Sequence, residues 1–180
     1  MQTVKMVVTG PFAAGKTEFI RTISEIDVVS TERKITSEAE RIKDVTTVAM
    51  DFGRITVDEE LVLYLFGTPG QKRFDFMWEI LSEGMLGFIV IVDSSRPETF
   101  REARGILDTF RGYAETPYVI AANKQDHEDA WSPDDLRIAL KISKDIKVLP
   151  CVANDKDMVK GVLLELLYSI LEMMDLEGAS

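Results

Sequence analysis

The stretch "VVTGPFAAGKTEFI", residues 7–20, constrains this chain more than any other. An apolar, β-branched run stops at Gly10, and a helix-forming run opens after Thr17. Between them the spacing fits G-x-x-x-x-G-K-[ST], in the strand-then-helix setting that the pattern requires. Glycines let the backbone curl so that successive N–H groups point inward. The helix that follows adds its positive N-terminal end. Such a cradle receives phosphate oxygens, and in this chain it is built from Gly10, Phe12, Ala13, Ala14, Gly15, Lys16, Thr17 and Glu18. Lys16 is placed to reach a β- and a γ-phosphate, and the Thr17 hydroxyl to meet Mg²⁺. A plain glycine turn capping a helix fits the composition, but not the position directly after a first strand.

Apolar, β-branched runs recur at 3–9, 47–57, 61–66, 87–93, 118–122 and 146–152, and helix-like stretches lie at 15–26, 74–83, 97–114, 133–142 and 156–175. The last carries apolar residues at 159, 163, 166, 170 and 174, the one-sided spacing of a helix packed on a sheet. Alternating β and α, with strands apolar on both faces, predicts a three-layer α/β fold with helices on both sides of a mostly parallel six-stranded sheet. Asp58 and Glu59 join 47–57 to the next strand, so that pair reads as a hairpin with one antiparallel edge strand. The polar stretch 27–46 is the length of loop that is usually functional or disordered.

The 180 residues suffice for one domain, residues 1–180, and are short for two. A net charge of −10 argues against nucleic acid as the main partner, because phosphate backbones need clustered Lys and Arg. The single cysteine, Cys151, permits no internal disulfide and suits a reducing cytoplasm; its strand-end position predicts a structural role. No run approaches transmembrane length, Gln2 excludes N-myristoylation, and "DLEGAS" carries no prenylation cysteine. No direct membrane anchor is expected.

The phosphate loop does not choose a base. "AANKQD", residues 121–126, addresses that, at the end of a buried strand where ligands approach open α/β sheets. A carboxylate at Asp126 accepts hydrogen bonds from guanine N1–H and the 2-amino group. Adenine offers neither donor, and leaves the charge unpaired. Asn123 is placed to tie this loop to the phosphate loop, and the stem of Lys124 to cover the base face.

At these two motifs the chain resembles the Ras-like small GTPases of the P-loop NTPase superfamily, and within them the prokaryotic gliding-motility and conservon types. The resemblance covers nearly the whole chain in order. "TTVAMDF" is similar to the first switch, which implies that Thr47 closes on Mg²⁺ and the γ-phosphate. "CVAND" is similar to the last base loop and implies that Val152, Ala153 and Asn154 flank guanine, with the Ala153 N–H facing O6. "GTPGQ" lies where the family has D-x-x-G-Q, implying that Gly70 senses the γ-phosphate and Gln71 orients the attacking water. Bound GTP or GDP with Mg²⁺ is implied, together with protein regulators and effectors; the regulator implied is a roadblock-type dimer.

The residue missing from "GTPGQ" is the aspartate that holds Mg²⁺, replaced by Gly67. Three arrangements are open. Thr17, Thr47, phosphates and extra waters hold the metal, which is the expected case; another carboxylate substitutes, Asp93 in preference to Asp51; or metal binding is weak. A phenyl ring at Phe12 crowds the space where Gln71 would work, which predicts slow intrinsic hydrolysis. Arg33, Arg41 and Arg54 are candidate internal arginines. Phe74, Met77, Trp78 and Leu81 would fill most of a helix circumference; packing wholly into the core is the expected case, and a partly exposed partner surface is the alternative. His127 reads as a surface residue. Two rival functions are a non-hydrolysing guanine-nucleotide scaffold, which Gly67 and Phe12 favour, and an ATP-using P-loop enzyme, which Asp126 opposes.

Overall fold

The structure, a computed structural model, describes residues 2–26, 29–30, 51–69 and 76–179. Its strands are β1 (Gln2–Thr9), β2 (Val29–Ser30), β3 (Asp51–Thr56), β4 (Leu61–Gly67), β5 (Gly87–Asp93), β6 (Tyr118–Asn123) and β7 (Val148–Pro150). Its helices are α1 (Lys16–Ile23), α2 (Trp78–Ser82), α3 (Phe100–Tyr113), α4 (Pro133–Ala139) and α5 (Lys156–Ala179). The sheet order is β2-β3-β4-β1-β5-β6-β7. Six strands form the mostly parallel sheet expected, with β3 antiparallel to β4. The two-residue β2 adds a short antiparallel strip outside β3.

Side chains alternate across each central strand, and so divide the core in two. Met6, Val8, Ile89 and Ile91 face α1 and α5. Val7, Phe88, Val90 and Val92 face the cluster built from α3 and α4, which includes Phe110 and Leu136. All seven residues of β5 are buried, as a strand covered on both faces must be. Helix α5 buries Val159, Val162, Leu163, Leu166, Leu167 and Ile170. Met174 continues the spacing but lies exposed, in the last turns of the helix. Two prolines stand at helix starts. Pro97 opens a short 3₁₀ turn before α3, and Pro133 follows the N-cap Ser132, whose hydroxyl accepts from Asp135 N–H at 3.1 Å.

At helix α2 the described residues of the apolar set follow the core-packing expectation. Met77 and Leu81 are buried, and Trp78 packs on Phe110 while its indole N–H donates to the Pro69 carbonyl at 3.3 Å. Positions 77, 78 and 81 follow i, i+1, i+4 spacing and fall within about 100° of arc, so they share one side of the helix. The exposed apolar side chains in this region are Phe76 and Ile80. Phe74 lies outside the described residues.

The exit of α1 is clipped to β3. Glu25 N–H donates to Arg54 O at 2.8 Å, and Ser24 Oγ accepts from Arg54 N–H at 3.2 Å. The Glu25 carboxylate accepts from both the N–H and the hydroxyl of Thr56, bonds that hold it below the usual carboxylate range. Among the described residues, no helix is long and apolar enough to cross a membrane.

Leu166 is fully buried where α5 crosses the sheet. Leu166→Ala is expected to lower the unfolding free energy by about 2–5 kcal/mol. Urea denaturation followed by circular dichroism measures it.

Candidate functional site

β1 lies at the sheet's centre, with β4 on one side and β5 on the other, so the chain leaves its C-terminal end at a topological switch point. The loop from Gly10 to Gly15 departs there. Gly10 has φ 150°, and a Cβ on it would stand 2.2 Å from the Ile91 carbonyl oxygen. Gly15 has φ 112°, and a Cβ there would stand 2.4 Å from Asn123 Nδ2. Neither position admits a side chain. Ala13 takes a left-handed φ of 64° without being glycine, a cost of about 1–2 kcal/mol that neighbouring contacts must offset. Lys16 is buried, and its ammonium donates to the Gly10 and Pro11 carbonyls at 2.7 and 2.8 Å, holding a positive charge inside the curl. Phe12 projects outward and is 60% exposed.

The second part of the site hangs on Asn123 at the end of β6. Its amide nitrogen donates to Ala14 O at 2.8 Å, and its amide oxygen accepts from Ala153 N–H at 2.9 Å. One buried side chain thereby ties the phosphate loop, the "ANKQD" loop and the "CVAND" loop together. The predicted link from Asn123 to the phosphate loop is present. The Ala153 N–H, for which the resemblance implied a guanine contact, donates to Asn123. A cleft of about 370 Å³ opens beside this junction, lined by Gly15, Glu18, Asn123, Lys124, Asp126, Val152, Ala153 and Asn154, with His127 at its rim. Fourteen of the sequence-selected residues thus belong to one connected region: these eight and the loop residues Gly10, Phe12, Ala13, Ala14, Lys16 and Thr17. Thr47, Gly70 and Gln71 lie outside the described residues, as do Arg33 and Arg41. Arg54 is exposed, three residues along β3 from Asp51.

Lys124 also has a left-handed φ, 63°, and its ammonium pairs with Asp93 Oδ2 at 3.0 Å. Asp93 is buried, which by itself would raise its carboxyl pKa. Hydrogen bonds from Ser95 and the ion pair with Lys124 outweigh that and hold it below the usual range. The preference for Asp93 as the substitute metal carboxylate is therefore corrected: it anchors the base loop. Asp51 is the carboxylate at the phosphate loop, where it accepts the Thr17 hydroxyl proton. Its position opposite Gly67 follows from hairpin register, which the sequence did not supply. Sequence reading also missed a buried hydroxyl pair. Thr68 donates to Thr9 Oγ1 at 2.9 Å, and its N–H to Val8 O, seating the turn after β4 against the end of β1. Cys151 is fully buried, and burial pushes its thiol up to about 12, as a structural cysteine requires.

A family described as "conserved hypothetical ATP binding protein", a P-loop family, matches residues 27–180. An uncharacterized protein of Methanocaldococcus jannaschii is 35% identical over 70% of this chain and 73% of its own length. The ADP-ribosylation factor-like protein 14 of Mus musculus is 27% identical over 59% of the chain, and the Ras-related protein SEC4 of Saccharomyces cerevisiae 28% identical over 73%. The chain spans only 57% and 63% of the length of these last two.

The chain belongs to this P-loop family. It is also similar to Ras-related and ADP-ribosylation-factor-like small GTPases.

Within this P-loop protein, the three loops share one hinge point of hydrogen bonding. Asn123→Ala would orphan Ala14 O and Ala153 N–H together, and is expected to lower the unfolding free energy by about 2–3 kcal/mol. Lys124→Ala, which removes a half-exposed partner of Asp93, should cost less in the same thermal or urea melt.

Proposed function

We propose that the protein is a guanine-nucleotide switch that binds GTP and GDP with Mg²⁺, hydrolyses GTP slowly, and signals to protein partners through its two switch loops. The observation that carries this reading is the joining of a Lys16-bearing phosphate loop to the Asp126 loop through Asn123. That junction sets one end of the cleft for a phosphate tail and the other for a purine. The loop N–H groups and Lys16 would bind the phosphates, with Lys16 exchanging its two carbonyl contacts for phosphate oxygens. Asp126, on the cleft wall, would accept from the donor edge of guanine. The stem of Lys124, its head fixed by Asp93, would lie against the base.

Thr17 and Thr47 would hold Mg²⁺, and the Thr17 hydroxyl beside a carboxylate is a donor set that suits a hard, oxygen-seeking cation. When bound, Mg²⁺ neutralises charge on the phosphate oxygens. Gly70 would meet the γ-phosphate through its N–H, and Gln71 would orient the water for in-line attack. The outward-facing Phe12 stands at the phosphate end of the site and would limit Gln71's approach, which supports slow turnover in the absence of a partner. Exposed Phe76 and Ile80, next to the second switch, offer regulators and effectors an apolar surface.

The ATP in the family description supports the rival adenine reading, and competition binding separates the two. The parent protein should prefer GDP to ADP, and Asp126→Ala should lose at least about 100-fold of that preference. Lys16→Ala should weaken GDP binding by about 10–100-fold. An unchanged base preference in Asp126→Ala would remove the guanine assignment.

Single-turnover GTP hydrolysis tests the role of Phe12. Phe12→Gly is expected to raise the rate by about tenfold or more by freeing the approach of Gln71. A parent that never releases phosphate, with or without Mg²⁺, would favour the scaffold reading.

A further inference from the structure

At the end of β4, Gly67 stands where the family pattern that the chain resembles has an aspartate, and the neighbouring strand reaches into that space. β3 runs antiparallel to β4, with Asp51 directly opposite Gly67. A Cβ built on Gly67 would stand 3.2 Å from Asp51 Cβ, 3.6 Å from Asp51 Oδ2 and 2.9 Å from Ile20 Cδ1. The Asp51 side chain therefore leans across Gly67, into the space a residue-67 side chain would use. Its Oδ2 also accepts the hydroxyl proton of Thr17, in the first turn of α1 directly after Lys16. A hydroxyl that donates to a carboxylate keeps its lone pairs for a cation.

We infer that Asp51 is the relocated metal carboxylate of this protein: it orients Thr17 as a ligand and holds metal-bound water in place of the side chain absent at Gly67. This rests on the proposed Mg²⁺-nucleotide reading of the cleft. The alternative candidate is committed elsewhere, since Asp93 pairs with Lys124 and Ser95. Among the described residues, no three His, Cys, Asp or Glu side chains group as a metal cage. A single carboxylate with one hydroxyl is a sparse set. It matches a cation that keeps several waters and takes further oxygens from phosphates. The exchange is also self-consistent sterically. Gly67 makes room for Asp51, and a side chain restored at 67 beside Asp51 would be crowded by Asp51 Cβ and Ile20.

The test is the release of a fluorescent GDP from the purified chain as free Mg²⁺ is varied, with binding in EDTA measured in parallel. In Asp51→Asn, shape and hydrogen-bond acceptance are kept and the charge is lost. The Mg²⁺ concentration that half-slows release should rise by about 10–100-fold, while binding in EDTA changes little. In the swap Asp51→Gly/Gly67→Asp, the carboxylate returns to β4 and the half-slowing concentration should fall back toward the parent's. If Asp51→Asn binds GDP in EDTA as the parent does and shows the parent's Mg²⁺ dependence, Asp51 is a structural tie to Thr17 and the inference is overturned. A swap that binds GDP normally in EDTA but remains as metal-insensitive as Asp51→Asn overturns it as well. Failure of the parent to bind GDP in EDTA or Mg²⁺ strikes the guanine-nucleotide reading itself, a different result from either of these.

Discussion

Asn123 is buried at the end of β6 and uses both ends of its amide, donating to Ala14 O and accepting from Ala153 N–H. Three loops that leave three different strands are fixed to one another by that group. The strained dihedrals of the site depend on it. Ala13 and Lys124 both sit at left-handed φ, the first beside Ala14, which the Asn123 amide holds, and the second directly after Asn123. Unpinned loops would relax such positions. Gly15 completes the constraint, because any side chain there would displace the Asn123 amide. The cleft walls are thus fixed to one another by scaffold hydrogen bonds, which reduces the ordering cost of binding.

Much of this was legible in sequence because it is written in residues with narrow conformational roles. Gly10, Gly15 and Lys16 mark the phosphate loop by spacing alone, and the β-branched runs marked all six principal strands. The Asn123 link was also readable, since an amide at a strand end beside a glycine loop has few other partners. Asp93 was misjudged for a physical reason. A strand-end carboxylate can turn toward either neighbouring loop, and the choice was made by Lys124, whose ammonium is brought within 3.0 Å. Asp51 was undervalued because its importance depends on which residue lies across a hairpin. On α2, counting apolar residues left two readings open, and the i, i+1, i+4 spacing of Met77, Trp78 and Leu81 decides for the core.

The family match begins at residue 27, after the phosphate loop, while the base-facing loops lie within it. The shared region therefore covers the β3–β4 hairpin with Asp51 and Gly67, the Asp126 loop and the long α5. What ties this region to the preceding segment is physical: Thr17 to Asp51, Ala14 to Asn123, and Ser24 and Glu25 to β3. The fold closes over a boundary that sequence similarity alone leaves open.

The clip between the exit of α1 and β3 has a consequence for how the switch would operate. Thr17 rides on α1 and Asp51 on β3, and the two elements are fastened at both ends, by the Thr17–Asp51 bond and by the Ser24–Glu25 contacts. On the inferred assignment, the cation's protein anchor belongs to this braced frame and not to the loop beginning at Gly67. Departure of the terminal phosphate would then slacken the second switch while the divalent ion stayed seated on the diphosphate product. Reporting hydrolysis and retaining the spent nucleotide would be separate mechanical tasks, assigned to separate parts of the sheet.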